Sequence, residues 1–214
     1  MRTQIKATTQ ARGQATRDDL INIARRLFSE HGFSGTALSD IQQASGLTKG
    51  AFYHHFRGKE DMALALLETV QADYARRLID PAMAERTPGR RLAALLDGFV
   101  ALNRQPEWCN CQMLMTLCGE LTAGQQRLRE SVLAMQTDFM EMWHKLIVQA
   151  QETGEVAPEI EPAVWAQWIM TTLTGLVLAK KIGCLKVAPE KIIGLIKEQM
   201  LSSGPASRRT RKSE

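Results

Sequence analysis

Long uncharged apolar runs, cysteine and alternating β-branched residues are all scarce in this 214-residue chain. The longest uncharged apolar stretch runs from Pro162 to Ala179 and is followed by two lysines, so it is expected to be too short and too polar to span a bilayer. No apolar run follows Arg2 and Lys6 at the start of the chain. We therefore expect no secretory signal peptide, no membrane partner and a cytoplasmic protein.

Cysteine occurs at only four positions, 109, 111, 118 and 184, which makes a structural disulfide framework a poor expectation. A single Cys-x-Cys pair without a neighbouring histidine is weak as a zinc site, so neither a metal site nor a cofactor is predicted. Cysteines on a core helix usually pack as small hydrophobic residues. As an alternative, Cys109 and Cys118 are candidates for thiols that sense oxidants or electrophiles, which requires exposure and a lowered pKa.

Patterns typical of an enzyme are also absent. The sequence has no glycine-rich phosphate loop, no Ser-His-Asp order and no paired carboxylates that the expected helices would bring to a histidine. An enzyme is therefore not predicted.

Positive charge is concentrated at the two ends of the chain. Residues 1–60 have nine Lys or Arg against five Asp or Glu, residues 61–203 have fourteen against seventeen, and residues 204–214 have four against one. A polyanion binds where positive charge is concentrated on one surface, so an end of the molecule is a candidate for contact with nucleic acid. A nonspecific DNA-binding protein that uses the basic tail is the rival hypothesis.

Apolar residues recur at helical intervals almost throughout, which predicts an all-α fold of about nine helices. Residues 1–14 are expected to be a flexible basic arm, 15–60 a three-helix DNA-binding domain, 61–203 a helical ligand-binding and dimerisation domain, and 204–214 a basic disordered tail. Helix-start signals place the later helices. They are expected at about 59–79, 88–104, 107–120, 124–153, 162–183 and 189–202.

The segment from Thr36 to Phe56 has the spacing of a helix-turn-helix, because only four residues separate two short helical patterns. Gly46 suits the left-handed conformation of the tight turn, and Thr48 is the expected N-cap of the second helix. This second helix has the usual length of a recognition helix in a major groove. Gly32 is expected to end the preceding long helix.

The chemistry of the recognition helix suits DNA. Lys49 can reach a guanine edge or a phosphate, Gly50 lets the backbone approach, and Tyr53 and His54 lie about one turn further along. Phe52 and Phe56 would anchor the opposite face in the core. Thr36 and Lys59, at the starts of the flanking helices, are expected to donate to phosphates. The predicted DNA contacts are Thr36, Thr48, Lys49, Gly50, Tyr53, His54 and Lys59.

A spaced set of residues in this segment resembles the DNA-binding pattern of the TetR family of transcriptional regulators. The set comprises Gly32, Phe33, Gly35, Thr36, Ile41, Ala44, Gly46, Leu47, Gly50, Phe52, Tyr53, His55, Phe56 and Lys59. The resemblance implies a repressor that binds double-stranded operator DNA as a homodimer, through a four-helix interface made by the two C-terminal helices of each subunit. It also implies release from the DNA when a small effector binds.

Tryptophan and methionine side chains in the second domain predict an apolar, adaptable pocket for a small hydrophobic or aromatic effector. The helices expected at 88–104, 107–120, 124–153 and 162–183 would line it. The candidate ligand contacts are Trp108, Met113, Leu117, Phe139, Trp143 and Trp168. Effector identity and operator sequence are not encoded in these patterns.

Overall fold

The computed structural model describes residues 2–105, 108 and 110–201, with side chains from Gly13 onward. Across these residues the regular structure is entirely helical, and the predicted all-α fold is confirmed. In chain order the elements are α1 (Arg2–Gly35), α2 (Leu38–Ser45), α3 (Lys49–His55), α4 (Lys59–Tyr74), a π-helical turn (Ala75–Ile79), α5 (Asp80–Met83), α6 (Pro88–Arg104), α7 (Asn110–Glu120), α8 (Gln126–Glu152), α9 (Pro162–Ile182) and α10 (Pro189–Leu201).

The predicted flexible arm at residues 1–14 is wrong in its backbone conformation, because α1 already begins at Arg2. Nothing in this segment stops a helix: it has no proline, and one glycine in a helix interior costs only about 1 kcal/mol. The predicted interruption at Gly32 is present as a kink, where Gly32 has φ 81° and ψ 166°. The expected basic tail at 204–214 lies outside the described residues.

The helix predicted at 59–79 continues to Met83 and changes its hydrogen bonding on the way. The five residues Ala75–Ile79 form a π-helical turn, in which the backbone N–H of Asp80 donates to the carbonyl of Ala75. Pro81 follows directly. Because proline lacks an N–H and its ring clashes with the carbonyl four residues earlier, regular α-helical bonding is disturbed at this point. If α4, the π-helical turn and α5 are taken as one run, the described residues form nine helices, the number predicted.

The chain divides into two compact units. One comprises the described residues up to Val70 together with those from Asn110 to Val132, and the other comprises the described residues of 71–108 and from Leu133 onward. The sequence-based boundary between residues 60 and 61 does not coincide with this division, since α7 belongs with α1 and the helix-turn-helix. Side chains in the core of the first unit include Leu20, Phe28, Ile41, Phe52, Phe56, Met62 and Leu66.

In the second unit, α6, α9 and α10 contribute much of the apolar core. Fully buried side chains from these helices include Leu92, Leu95, Leu96, Ala166, Ile169 and Met200. The ammonium group of Lys197 on α10 lies 2.6 Å and 2.8 Å from the two carboxylate oxygens of Asp97 on α6. The α9 helix has the length and hydropathy of a membrane span, but a third of the 18-residue window is buried inside the protein. A buried face of this kind is typical of a core helix.

The N-terminus of α6 is held by Glu155, which lies in the loop after α8. Thr87, the N-cap of α6, donates from Oγ1 to Glu155 Oε2, and Thr153 Oγ1 donates to Glu155 Oε1 at 2.9 Å. Burial by itself raises the pKa of Glu155. The hydrogen bonds from Thr87, Thr153 and the Gly89 backbone, with the charge of Arg90, outweigh that effect and lower the pKa below its ordinary value of 4.5.

We expect Glu155→Gln to lower the free energy of unfolding by about 1 kcal/mol at neutral pH, because charged hydrogen bonds are lost. Since the pKa is lowered in the folded state, this stabilisation is present above pH 4.5 and is lost as the pH falls through the folded-state value. Chemical unfolding at neutral and acid pH measures it, with the exposed Glu152→Gln as the matched control. An equal loss in both variants, or a loss independent of pH, would contradict this role.

Candidate nucleic-acid interface

The turn between α2 and α3 is fixed by local hydrogen bonds. Gly46 adopts the left-handed conformation, with φ 66° and ψ 7°, and its N–H donates to the carbonyl of Gln43 at 3.2 Å. The hydroxyl of Thr48 accepts from the backbone N–H of Ala51 at 3.3 Å and thereby caps α3. Both residues adopt the roles in the turn that the sequence predicts.

The α3 helix has one buried and one exposed face. Phe52 and, at its C-cap, Phe56 are each 1% exposed, and the guanidinium of Arg17 lies 5.0 Å from the centre of the Phe56 ring. Lys49, Gly50, Tyr53 and His54 are exposed, Tyr53 with 45% of its surface. A Cβ added to Gly50 would meet nothing within 4 Å, so the backbone there is open to an approaching surface.

The predicted role of the Thr36 side chain is corrected by the structure. Thr36 is 1% exposed, and its hydroxyl donates to the carbonyl of Gly32 at 2.7 Å, with a second contact to the carbonyl of Leu27 at 3.2 Å. The hydroxyl therefore binds carbonyls near the end of α1 instead of facing outward.

Lys59 also binds inside the protein. Its ammonium group donates to the carbonyls of Phe33 and Thr36, at 2.7 Å and 3.0 Å, and lies 4.5 Å from the centre of the Phe33 ring. Two of its three N–H groups are engaged in this way. Lys59 thus joins the start of α4 to the turn after α1. This corrects the prediction that its side chain serves to bind a DNA phosphate.

Sequence reasoning missed Glu120, the last residue of α7. Its carboxylate accepts from the backbone N–H of Ser34 at 2.7 Å. A Cβ added to Gly32 would lie 2.1 Å from Glu120 Oε1, so the carboxylate occupies the space that the glycine leaves free. Further along α7, the amide of Gln112 donates to the carbonyl of Ser29 at 3.4 Å. The α7 helix is therefore docked on α1.

The candidate ligand contacts are distributed over both units. Trp108, Phe139, Trp143 and Trp168 lie in one unit, whereas Met113 and Leu117 lie on α7 in the other. Trp108, Trp143, Met113 and Leu117 are buried, Phe139 is half-buried, and Trp168 is 43% exposed and packs against Trp165 at a ring distance of 5.1 Å. Their predicted common role in ligand binding stays a prediction.

Two of these aromatic residues meet around Tyr74. The Tyr74 ring packs edge-on against Trp108 at 5.3 Å and Phe139 at 5.4 Å. The guanidinium of Arg77, in the π-helical turn, lies 4.7 Å from the Trp108 ring and donates to the side chain of Gln105. Trp108 Nε1 is buried and has no hydrogen-bond partner among the described residues. Trp108 and Phe139 therefore lie in one aromatic cluster around Tyr74.

Two of the described cysteines, Cys118 and Cys111, lack features of an activated thiol. Burial raises the pKa of Cys118 and outweighs a backbone hydrogen bond that lowers it, which opposes formation of the reactive thiolate. Cys111 is buried. Cys109, the other redox candidate, lies outside the described residues. Within the described part of the chain, no group of three or more His, Cys, Asp and Glu residues is arranged to hold a metal ion.

This arrangement defines a helix-turn-helix regulator, and comparison with known proteins gives its family. The family model of bacterial regulatory proteins of the tetR family matches residues 20–66, and the model of the tetracyclin repressor-like C-terminal domain matches residues 88–189. The chain belongs to the TetR/AcrR family and is a DNA-binding transcriptional regulator.

Curated relatives and solved structures agree with this assignment. The chain is 26% identical to the HTH-type transcriptional repressor DhaR of Mycobacterium sp. (strain GP1), over 87% of this chain and 93% of that protein. A TetR transcriptional regulator from Chloroflexus aurantiacus J-10-FL is 27% identical, with a TM-score of 0.78 over 89% of this chain and 98% of the other. AibR, in complex with isovaleryl coenzyme A and operator DNA, has the same fold at 18% identity, with a TM-score of 0.72 over 88% and 99% of the two chains.

We expect Gly32→Ala to destabilise the protein by about 3 kcal/mol, because φ 81° with ψ 166° is a conformation for glycine and the new Cβ would displace Glu120. Gly46→Ala is the matched control: its φ is also positive, but a Cβ there meets nothing within 4 Å, and about 1 kcal/mol is expected. Urea unfolding measures both. An equal cost in the two variants would mean that Glu120 does not fill the space beside Gly32.

Proposed function

We propose that the chain represses transcription by binding a palindromic operator through α3 of each subunit of a homodimer in the cytoplasm, and that a small effector releases it. The observation that carries this proposal is the pair of faces on α3. Phe52 and Phe56 fix one face in the core, while Lys49, Tyr53 and His54 project from the other. A helix of this length with a basic and aromatic outer face suits the major groove.

The contacts on α3 divide by chemistry. Lys49 lies in the first turn, where its ammonium group would reach a guanine edge or a phosphate. Tyr53 offers a hydroxyl and a ring one turn later, and His54 a donor or acceptor beside it. Gly50 keeps the backbone close to the DNA because it has no side chain. Thr48 would support these contacts as the N-cap of α3. The buried hydroxyl of Thr36 is not proposed as a DNA contact.

We expect Lys49→Ala and Tyr53→Ala each to weaken binding to a duplex selected from a random pool by about 1–3 kcal/mol. If Lys49 contacts a phosphate, its loss also lowers the slope of log affinity against log salt concentration by about one. If Lys49 contacts a base, the sequence preference relaxes at one position of the duplex. Fluorescence anisotropy measures the affinity. Lys191→Ala removes the same charge from an exposed position of α10 and should bind like the wild type. The proposal would fail if both α3 variants kept wild-type affinity and preference.

Exposed apolar side chains on the outer face of α9 support the proposed homodimer. Val164, Trp168, Leu178 and Ile182 recur at intervals that place them on one side of the helix, and between 43% and 67% of each surface is exposed. Leu195 on α10 is 60% exposed. Several large apolar side chains exposed on one side of a helix are typical of a protein interface. A second copy of the chain would bury it in a symmetric contact and set the spacing of two α3 helices.

We expect Leu178→Glu combined with Ile182→Glu to produce a monomer, because each subunit would bury two charges in the contact. Sedimentation or light scattering measures the mass. Leu133→Glu is a control, since this leucine on α8 is 67% exposed and lies away from α9 in sequence. The α9 interface would be excluded if the double variant kept the same mass as the wild type and the control.

For release, the effector must bind the arrangement that does not bind DNA more tightly than the one that does. The docking of α7 on α1 supports a route for this coupling, since a shift of α7 would disturb the bond between Glu120 and Ser34 beside the helix-turn-helix. The fold shared with AibR, whose structure contains both isovaleryl coenzyme A and operator DNA, also supports a regulator with two ligands.

A further inference from the structure

A cavity of about 230 Å³ lies within the second unit, between α6, α9 and the start of α10. It is separate from the aromatic residues grouped around Tyr74, because it shares no lining residue with them. Most of its wall is apolar: Phe99, Val100, Leu176, Val177, Leu185 and Pro189. Pockets for drug-sized ligands usually measure about 300–1,000 Å³, so this one suits a smaller molecule.

Positive charge lies at one part of this wall. Arg104 at the end of α6 and Lys180 near the end of α9 both line the cavity, together with Asn103. The ammonium group of Lys180 donates to the backbone carbonyl of Asn103, the residue before Arg104. Arg104 pairs with Glu190 at 2.7 Å, so these three charged groups leave a net charge of +1.

The remaining donors favour an anion. A guanidinium has five N–H groups and an ammonium three, so the ion pair of Arg104 and the single carbonyl contact of Lys180 leave donors for a further acceptor. A carboxylate matches the planar fork of a guanidinium. The apolar wall opposite would cover a short hydrocarbon body, because burial of apolar surface is favourable.

We propose that this cavity binds a small organic monocarboxylate, with its carboxylate at Arg104 and Lys180 and its hydrocarbon part against Val100, Leu176 and Val177. The volume equals that of roughly eight waters at about 30 Å³ each, which suits a molecule of about eight non-hydrogen atoms. Hexanoate is of this size. The statement that this ligand is the effector rests on the proposed function. The statement that the cavity binds a monocarboxylate does not.

The test is calorimetric titration of the full chain, without DNA, with hexanoate, 1-hexanol and hexylammonium. Hexanoate should bind, and the alcohol and the cation should bind at least about tenfold more weakly, because charge-assisted hydrogen bonds are lost or replaced by repulsion. Lys180→Met, which keeps the aliphatic stem, should weaken hexanoate binding by a similar factor. Lys181→Met is the matched control, since it removes the same charge from a residue that does not line the cavity, and it should bind as the wild type does.

Leu185→Trp is a second test of the cavity, because the larger side chain would fill it. Since Leu185 lies in a loop and not in a core helix, the variant should lose hexanoate binding with little change in the thermal midpoint of unfolding. Absence of hexanoate binding, equal binding of the alcohol, or unchanged binding in both cavity variants would overturn the proposal. A parallel titration of the operator complex with hexanoate separates the claim that the cavity binds a monocarboxylate from the claim that this ligand is the effector. Hexanoate that binds the free protein without releasing DNA leaves the site in place and refutes only its role as the effector site.

Discussion

The turn after α1 depends on one side chain of its own and on two that come from distant parts of the sequence. The positive φ of Gly32 breaks the helical hydrogen bonding and leaves backbone groups that need partners. Thr36 supplies a hydroxyl, Lys59 at the start of α4 supplies an ammonium group, and Glu120 at the end of α7 supplies a carboxylate. Each bond satisfies a backbone group that would otherwise cost free energy in a partly buried turn.

This turn determines where the helix-turn-helix begins. Thr36 and Ala37 lie immediately before α2, and α2 is joined to α3 by a turn of only three residues, Gly46 to Thr48. A change in the backbone at Gly32 would therefore pass to α2 and α3 through few rotatable bonds. Glu120 belongs to the sequence region matched by the C-terminal family model, but it binds the DNA-binding region. One carboxylate thus joins α7 to the turn that precedes the helix-turn-helix.

Local signals allowed much of the fold to be predicted. Gly46, Thr48, Pro88, Pro162 and Pro189 act through their own backbone or the next turn, so their effect can be inferred from a few neighbouring residues. The exposed face of α3 followed from the helical period in the same way.

Features that depend on distant partners were missed. Glu120 and Ser34 are separated by 86 positions, and only the folded chain brings them together. The positions of Thr36 and Lys59 at helix starts favour anions and predict contacts with phosphates. The structure shows that they bind backbone carbonyls of the turn instead, that of Gly32 for Thr36 and those of Phe33 and Thr36 for Lys59. The cavity near Lys180 was missed for the same reason, since its wall combines α6 and α9, more than 70 positions apart.

Glu120 holds the turn that positions α3. The dissociation constant of Glu120→Ala for a selected operator duplex tests this role, and Glu130→Ala, which removes an exposed carboxylate from α8, is the control. Loss of a charge-assisted hydrogen bond predicts binding weakened by about tenfold for Glu120→Ala, although every residue on the outer face of α3 is intact, and wild-type binding for the control. Wild-type affinity in Glu120→Ala would contradict the claim.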